Sequence, residues 1–300
     1  MAHAVVDRLP YESAPAGVRS WVERSLGSSV VSAATQQGGF SPGVAARLVT
    51  SSGRRAFVKA VGPELNPGTP QLIRNEITAM QAIGPLPQIP GLYGVYDDGD
   101  WVGILLEDIS GYIPPHPWHQ HDASRVLDAL AELSESLDPS PWEEAPVAAE
   151  RSEAFLSRWE LLIADGVAVP DWAKGSEQEL AELARTGLDE LAKGSALVHW
   201  DLRADNLLLT EDRVVFIDWA HASLGPVWTD TVIMCADMYG AVDLPALPDE
   251  PGVDGLISAI AAGLLWGSTQ PPQQNIPTMR AWQRETALVH FDWLRERLGR

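Results

Sequence analysis

The 300-residue chain is 45% hydrophobic and 21% charged, the balance of an ordinary soluble enzyme with room for one large domain or two lobes. A formal net charge of −20 argues against a general nucleic-acid binder, because phosphate backbones would be repelled. No apolar run reaches the ~20 residues of a bilayer span, and the single cysteine, Cys235, excludes an internal disulfide and a cysteine-based zinc site.

The opening MAHAVVDRLPYESA lacks the basic-then-apolar pattern of a secretory signal. With one cysteine, this sets the expectation of a protein of the reducing cytoplasm that neither enters nor spans a membrane.

In chain order, residues 16–27 read as a short helix closed by Gly27, and 30–34 as a strand. A turn-rich stretch, Gln36 to Gly43, leads into two strands, 44–50 and 56–61, whose Ser-Ser-Gly-Arg-Arg connection signals a hairpin. Residues 71–83 form an amphipathic helix ended by Gly84-Pro85. Strands at 92–96 and 102–107 flank the turn Asp97-Asp98-Gly99-Asp100. The Pro- and His-rich segment 110–121 reads as a crossing. After it, helices are expected at about 122–138, 150–165, 176–193, 228–239, 252–266 and 277–298, interrupted by a short strand, a loop and a hairpin within 196–218.

The strongest chemical signal is His199-Trp200-Asp201-Leu202-Arg203-Ala204-Asp205-Asn206, a match to H-x-D-L-x-x-x-N. Twelve residues after Asn206, the strand Val214-Val215-Phe216-Ile217 ends in Asp218. Phosphoryl transfer needs an acceptor that orients and deprotonates the attacking hydroxyl, and hard oxygen ligands for Mg²⁺. An Asp and an Asn five apart in one loop, with a strand-end Asp, supply such groups; the competing reading is a loop with polar caps.

Lys59 sits in an apolar strand, where an ammonium needs a partner. Glu76 on the next helix is the favoured partner, with Glu64 an alternative in the interval; a Lys–Glu pair would aim the ammonium at nucleotide phosphates. The bland alternative puts Lys59 on the solvent face. Gly38-Gly39-Phe40-Ser41 lies in a strand-to-strand turn upstream of Lys59, so Gly39 and Ser41 are candidates to cover phosphates through backbone N–H groups. A plain hairpin turn would look similar. The strand running into Leu105-Leu106-Glu107-Asp108-Ile109 offers the backbone of Glu107 and Ile109 to the edge of a purine, or is an ordinary strand end.

With these residues in order from Val30 to Trp228, the chain resembles the aminoglycoside phosphotransferase and choline kinase group of small-molecule kinases. The resemblance implies an α+β, protein-kinase-like fold in two lobes: an antiparallel β N-lobe with one helix (1–108), a crossing (109–121) and a mostly helical C-lobe (122–300). It implies ATP or GTP as donor, Asp201 as catalytic base, Asn206 and Asp218 as Mg²⁺ ligands, Lys59 on the α- and β-phosphates, and Asp230 as a structural brace of the catalytic loop. Arg203 is assigned either to the γ-phosphate or to a surface salt bridge.

The chain departs from the family's common His-Gly-Asp by carrying Trp200 at the middle position, a bulky side chain that must find room. Only 11 residues separate Asp218 from Asp230, too few for a long peptide-docking segment. The expected acceptor is therefore a hydroxylated small molecule such as an aminoglycoside or another antibiotic, with a metabolic kinase or a nucleotide-binding regulator as alternatives. The negative charge, and acids near Trp266, Trp282 and Trp293, lean toward a cationic acceptor. The histidines at 116, 119 and 121 read as a polar crossing before a metal site.

Overall fold

The computed structural model describes residues 8–36, 42–272 and 278–300. In chain order its elements begin with α1 (Ala16–Leu26), β1 (Val30–Thr35), β2 (Val44–Thr50), β3 (Arg55–Val61), α2 (Thr69–Ile83), β4 (Leu92–Asp97) and β5 (Val102–Leu106). There follow α3 (Gln120–Ser136), α4 (Ala148–Leu156), α5 (Trp159–Ala164), α6 (Glu177–Leu191), β6 (Ala196–Val198), β7 (Leu207–Leu209) and β8 (Val214–Phe216). The last are β9 (Ser223–Gly225), α7 (Thr229–Met238), α8 (Pro251–Ser268) and α9 (Met279–Arg297). Contacts divide the described residues into two units, one comprising 8–114 with 205–222, the other 115–204 with those from 223 onward.

The first unit is built on an antiparallel sheet of order β1-β2-β3-β5-β4. β5 is buried along its whole length, as its uninterrupted Val-Gly-Ile-Leu-Leu run dictates, whereas the edge strand β4 alternates half-buried and exposed residues and keeps one face wet. The β2–β3 turn uses Gly53 at φ +82°, a conformation that Cβ-bearing residues rarely adopt. Val18, Trp21 and Val22 of α1 join Leu48, Val58 and Leu105 in one core.

Residues 205–222, which follow the helices in sequence and were expected with them, pack with the sheet unit. The causes are local. Tyr112 and Leu209 exchange backbone hydrogen bonds of 2.9 and 2.8 Å, the Phe216 N–H donates to the Gln88 carbonyl at 2.8 Å, and Arg213 pairs with Glu107.

In the second unit α8 is the central helix, packed against α6, α9, α4 and α5. Its contact with α6 is close enough that a Cβ on Gly187 would meet the Gly255 backbone at 2.3 Å, so glycine is required on both helices. The single helix expected over 150–165 is broken at Ser157–Arg158, after which Trp159 turns fully into the core and its indole N–H donates to Ser258 Oγ at 3.0 Å. β9 was not expected; it pairs antiparallel with β6, with Val198 opposite Ser223. No helix among the described residues is long and apolar enough to cross a membrane.

Candidate active site

The sheet unit brings Lys59, Glu76 and Asp218 together. Lys59 lies on β3 between β2 and β5, opposite Ala45 and Ile104. Its Nζ is 2.8 and 3.0 Å from the two carboxylate oxygens of Glu76 and 3.5 Å from Asp218 Oδ1. Glu76, not Glu64, is thus the partner; its side chain is 2% exposed. α2 positions it by packing on the 3-10 turn Trp219–His221, whose Trp219 N–H donates to the carboxylate. Burial pulls the Lys59 ammonium down from its ordinary value, but the charges of Asp218 and Glu76 outweigh it, and the net direction is up. Burial pushes the Glu76 carboxyl up, against the Lys59 charge, which pulls it down.

Asp218 follows β8 in the left-handed region, φ +68° and ψ +62°. Only Trp200 shares a positive φ among the described non-glycine residues, and both lie in the motif segments. Asn206 adjoins Asp218 through the β7–β8 hairpin: Leu207 pairs with Phe216, and the Ile217 N–H donates to the Asn206 carbonyl at 3.0 Å. Asn206 is buried, while the Asp218 side chain is 46% exposed.

Sequence reasoning missed Arg8. Burial lowers its guanidinium from the ordinary value, and the negative charge of Asp218 opposes that shift. The Leu9 N–H donates to the Pro42 carbonyl at 3.2 Å, which ties this segment to the end of the glycine-rich turn. No local pattern singles out an arginine in that stretch. Gly39 and Ser41 themselves lie outside the described residues.

After β5 the structure sorts the backbone groups of the expected purine edge. The Glu107 N–H donates to the Gly91 carbonyl at 2.8 Å, and the Ile109 carbonyl accepts from Arg47 Nη2 at 3.0 Å. The Glu107 N–H and the Ile109 carbonyl are thus engaged within the protein.

The helical unit carries the loop with Asp201. β6 runs into His199, which is fully buried and whose Nδ1 accepts the Asp201 N–H at 3.3 Å. The carboxylate of Asp230, on α7, accepts the backbone N–H groups of His199 at 2.6 Å and Trp200 at 2.9 Å. Burial raises the Asp230 carboxyl above its ordinary value, opposed by His199 and by these two donors. Arg203 Nη1 pairs with Asp201 Oδ1.

Trp200 holds φ +69° and finds its room beside the helical core, with its indole N–H on Ser152 Oγ at 2.7 Å. Asp237, a second residue that sequence reasoning missed, fixes the far end of the loop. Its Oδ2 accepts the Ala204 N–H at 3.1 Å and the Trp118 indole N–H at 3.0 Å, with His116 Nε2 at 3.5 Å. A signal for it exists: Asp230 and Asp237 are seven residues apart on one helix and so share a face.

Of the tryptophans considered for a cationic acceptor, Trp293 is core, and the ring of Trp266 already carries the guanidinium of Arg158 at 4.4 Å. Among the described residues no group of three or more His, Cys, Asp or Glu is arranged to hold a metal.

The sequence matches a family model described as the phosphotransferase enzyme family over residues 37–266. No curated protein sequence matches it. Among solved structures it is similar to a thermostable mutant of aminoglycoside phosphotransferase APH(4)-Ia, with 13% identity, 92% of this chain and 99% of that one covered, and a TM-score of 0.58. A ternary complex of a thermostable mutant of that enzyme with ADP and hygromycin B gives 12% identity, 92% and 98% coverage and a TM-score of 0.56. Amicoumacin kinase hAmiN, in complex with AMP-PNP, Ca²⁺ and its ligand Ami, gives 11% identity, 87% and 88% coverage and a TM-score of 0.53. At these identities the likeness establishes the fold, which is kinase-like: an antiparallel-sheet N-lobe and a mostly helical C-lobe.

Proposed function

The family match spans well over half of the chain, which therefore belongs to the phosphotransferase enzyme family, and we propose that it transfers the γ-phosphate of ATP or GTP to a hydroxyl of a small molecule. The observation that carries this reading is the buried Lys59–Glu76 pair with Asp218 beside it. A buried ion pair is at best about neutral for stability compared with an apolar pair. Its place on the sheet is explained by what a fixed ammonium does for nucleotide phosphates.

In this reading Asp201 accepts the proton of the attacking hydroxyl. Arg203 orients its carboxylate, which favours a positioning role over direct contact with the γ-phosphate. Asn206 and Asp218 offer hard oxygen donors from adjoining residues of one hairpin, a set that fits Mg²⁺, which when bound neutralises charge on the phosphates. Gly39 and Ser41 cover the phosphates, and Glu107 and Ile109 meet the purine through their backbone. Residues 1–108, 109–121 and 122–300 act as nucleotide lobe, crossing and acceptor lobe, with 205–222 added to the nucleotide lobe by its contacts.

The acceptor we propose is a hydroxylated antibiotic, whose phosphorylation would confer resistance. In support, similar solved structures hold hygromycin B and Ami, and the net charge of −20 favours a cationic molecule. The reaction is placed in the cytoplasm, where nucleoside triphosphates are supplied.

The test is incubation of the protein, Mg²⁺ and ATP or GTP with aminoglycosides, other antibiotics, amino alcohols, sugars and nucleosides, read by mass spectrometry. Gain of one phosphoryl group by an antibiotic supports the proposal. Gain by a sugar or amino alcohol alone moves the assignment to a metabolic kinase. No gain anywhere, with nucleotide still bound, favours a regulator.

A further inference from the structure

The segment after β5 is held by two arginines from the neighbouring strands. The Asp108 side chain, 2% exposed, accepts Arg47 Nε at 2.5 Å on one oxygen and Arg55 Nε at 2.8 Å on the other. Arg47 on β2 and Arg55 on β3 reach the same carboxylate because Val49 pairs with Arg55, which puts both arginines on one face. Arg47 goes further: its Nη2 donates to the Ile109 carbonyl at 3.0 Å and to Ser110 Oγ at 3.4 Å.

What remains for a purine is an acceptor, the Glu107 carbonyl, and a donor, the Ile109 N–H. Adenine presents the complement on its Watson–Crick edge, a donor amino group beside an acceptor ring nitrogen. Guanine presents the reverse and would meet acceptor with acceptor and donor with donor. It fits only after sliding, so that its carbonyl accepts from the Ile109 N–H and its N1–H and amino group donate to the Ile109 carbonyl. That carbonyl already takes a bond from a guanidinium, a group with five donors and no acceptor. A guanine would have to crowd its donors against that guanidinium on one oxygen, or displace Nη2 onto its long 3.4 Å contact with Ser110 Oγ. We propose that Arg47 is a specificity-determining residue that commits the donor site to adenine nucleotides over guanine nucleotides, a proposal that rests on the kinase reading above.

The test is calorimetric titration of the full chain with ADP and with GDP, each with Mg²⁺. ADP is expected to bind at least ten-fold more tightly than GDP. In Arg47→Met that ratio is expected to fall at least ten-fold, mainly through tighter GDP binding. In Arg55→Met, which loosens Asp108 but leaves the bond to the Ile109 carbonyl, it is expected to stay within two-fold. Equal affinities in the natural protein, or an unchanged ratio in folded Arg47→Met, overturn the assignment while leaving the kinase reading intact. Binding of neither nucleotide overturns both.

Should Arg47→Met fail to fold, the diphosphate of 2,6-diaminopurine riboside decides on the natural protein. Its extra amino group turns toward the Ile109 carbonyl and is expected to gain nothing over ADP. A gain of five-fold or more overturns the proposal.

Discussion

In the sheet unit, charged side chains hold one another: Lys59 lies against Glu76 and Asp218, and Asp108 takes two arginines. In the helical unit, charged side chains hold backbone instead: Asp230 and Asp237, on one face of α7, take the N–H groups of His199, Trp200 and Ala204. The difference lies in what removal leaves behind. Taking away both Lys59 and Glu76 removes both charges and leaves only the Trp219 N–H without its acceptor, so an apolar pair can largely replace them. Taking away a carboxylate that caps backbone always strands N–H groups, which no second substitution can delete. On this contrast the first arrangement is expected to be replaceable without loss of the fold, and the second to be needed to give the Asp201 loop a single shape.

The largest expected effect tests the first half of that contrast. Lys59→Met leaves Glu76 buried and unpaired, and urea unfolding should show a loss of about 3–5 kcal/mol. Lys59→Met combined with Glu76→Leu should recover most of the stability and none of the transfer activity. A double variant as unstable as the single one would contradict the contrast. Next, Asp230→Ala strands two buried N–H groups and should cost about 2–4 kcal/mol, with no apolar replacement at position 230 restoring it; full recovery in Asp230→Leu would count against the backbone account.

Asp237→Ala removes the acceptor for Ala204 and Trp118 at a less buried point, and about 1–2 kcal/mol should be lost, with nucleotide affinity unchanged when read by calorimetry. The smallest effect is at Trp200. Trp200→Gly relieves a left-handed backbone worth about 1–2 kcal/mol but gives up the indole bond to Ser152 and packing on the helical core. A net loss of about 1 kcal/mol is expected in thermal unfolding, and a net gain would show that strain dominates.

Much of this architecture is legible in the chain because it is written in local periodicity. The strands at 44–50 and 92–97 and the helices at 71–83 and 252–266 end within a few residues of where alternation or helical spacing stops. Lys59, Glu76 and Asp218 were legible for another reason: charge in an apolar strand demands a partner, and motif spacing named the candidates. What escaped depends on contacts far apart in sequence. β9 is three residues long and exists only because β6 pairs with it. The break before Trp159 goes with a bond of its indole to Ser258, 99 residues away in another helix. The bond of Arg47 to the Ile109 carbonyl spans 62 residues, and nothing around Arg47 announces it.

In the proposed function Asp201 serves the chemistry and not nucleotide binding. The direct measurement is Asp201→Asn, assayed for phosphoryl transfer to whichever acceptor the panel identifies and, in parallel, for ADP affinity. Transfer lower by roughly 10²–10⁴-fold, with ADP affinity within about two-fold, is the predicted result. Near-natural turnover in that variant would contradict the assignment.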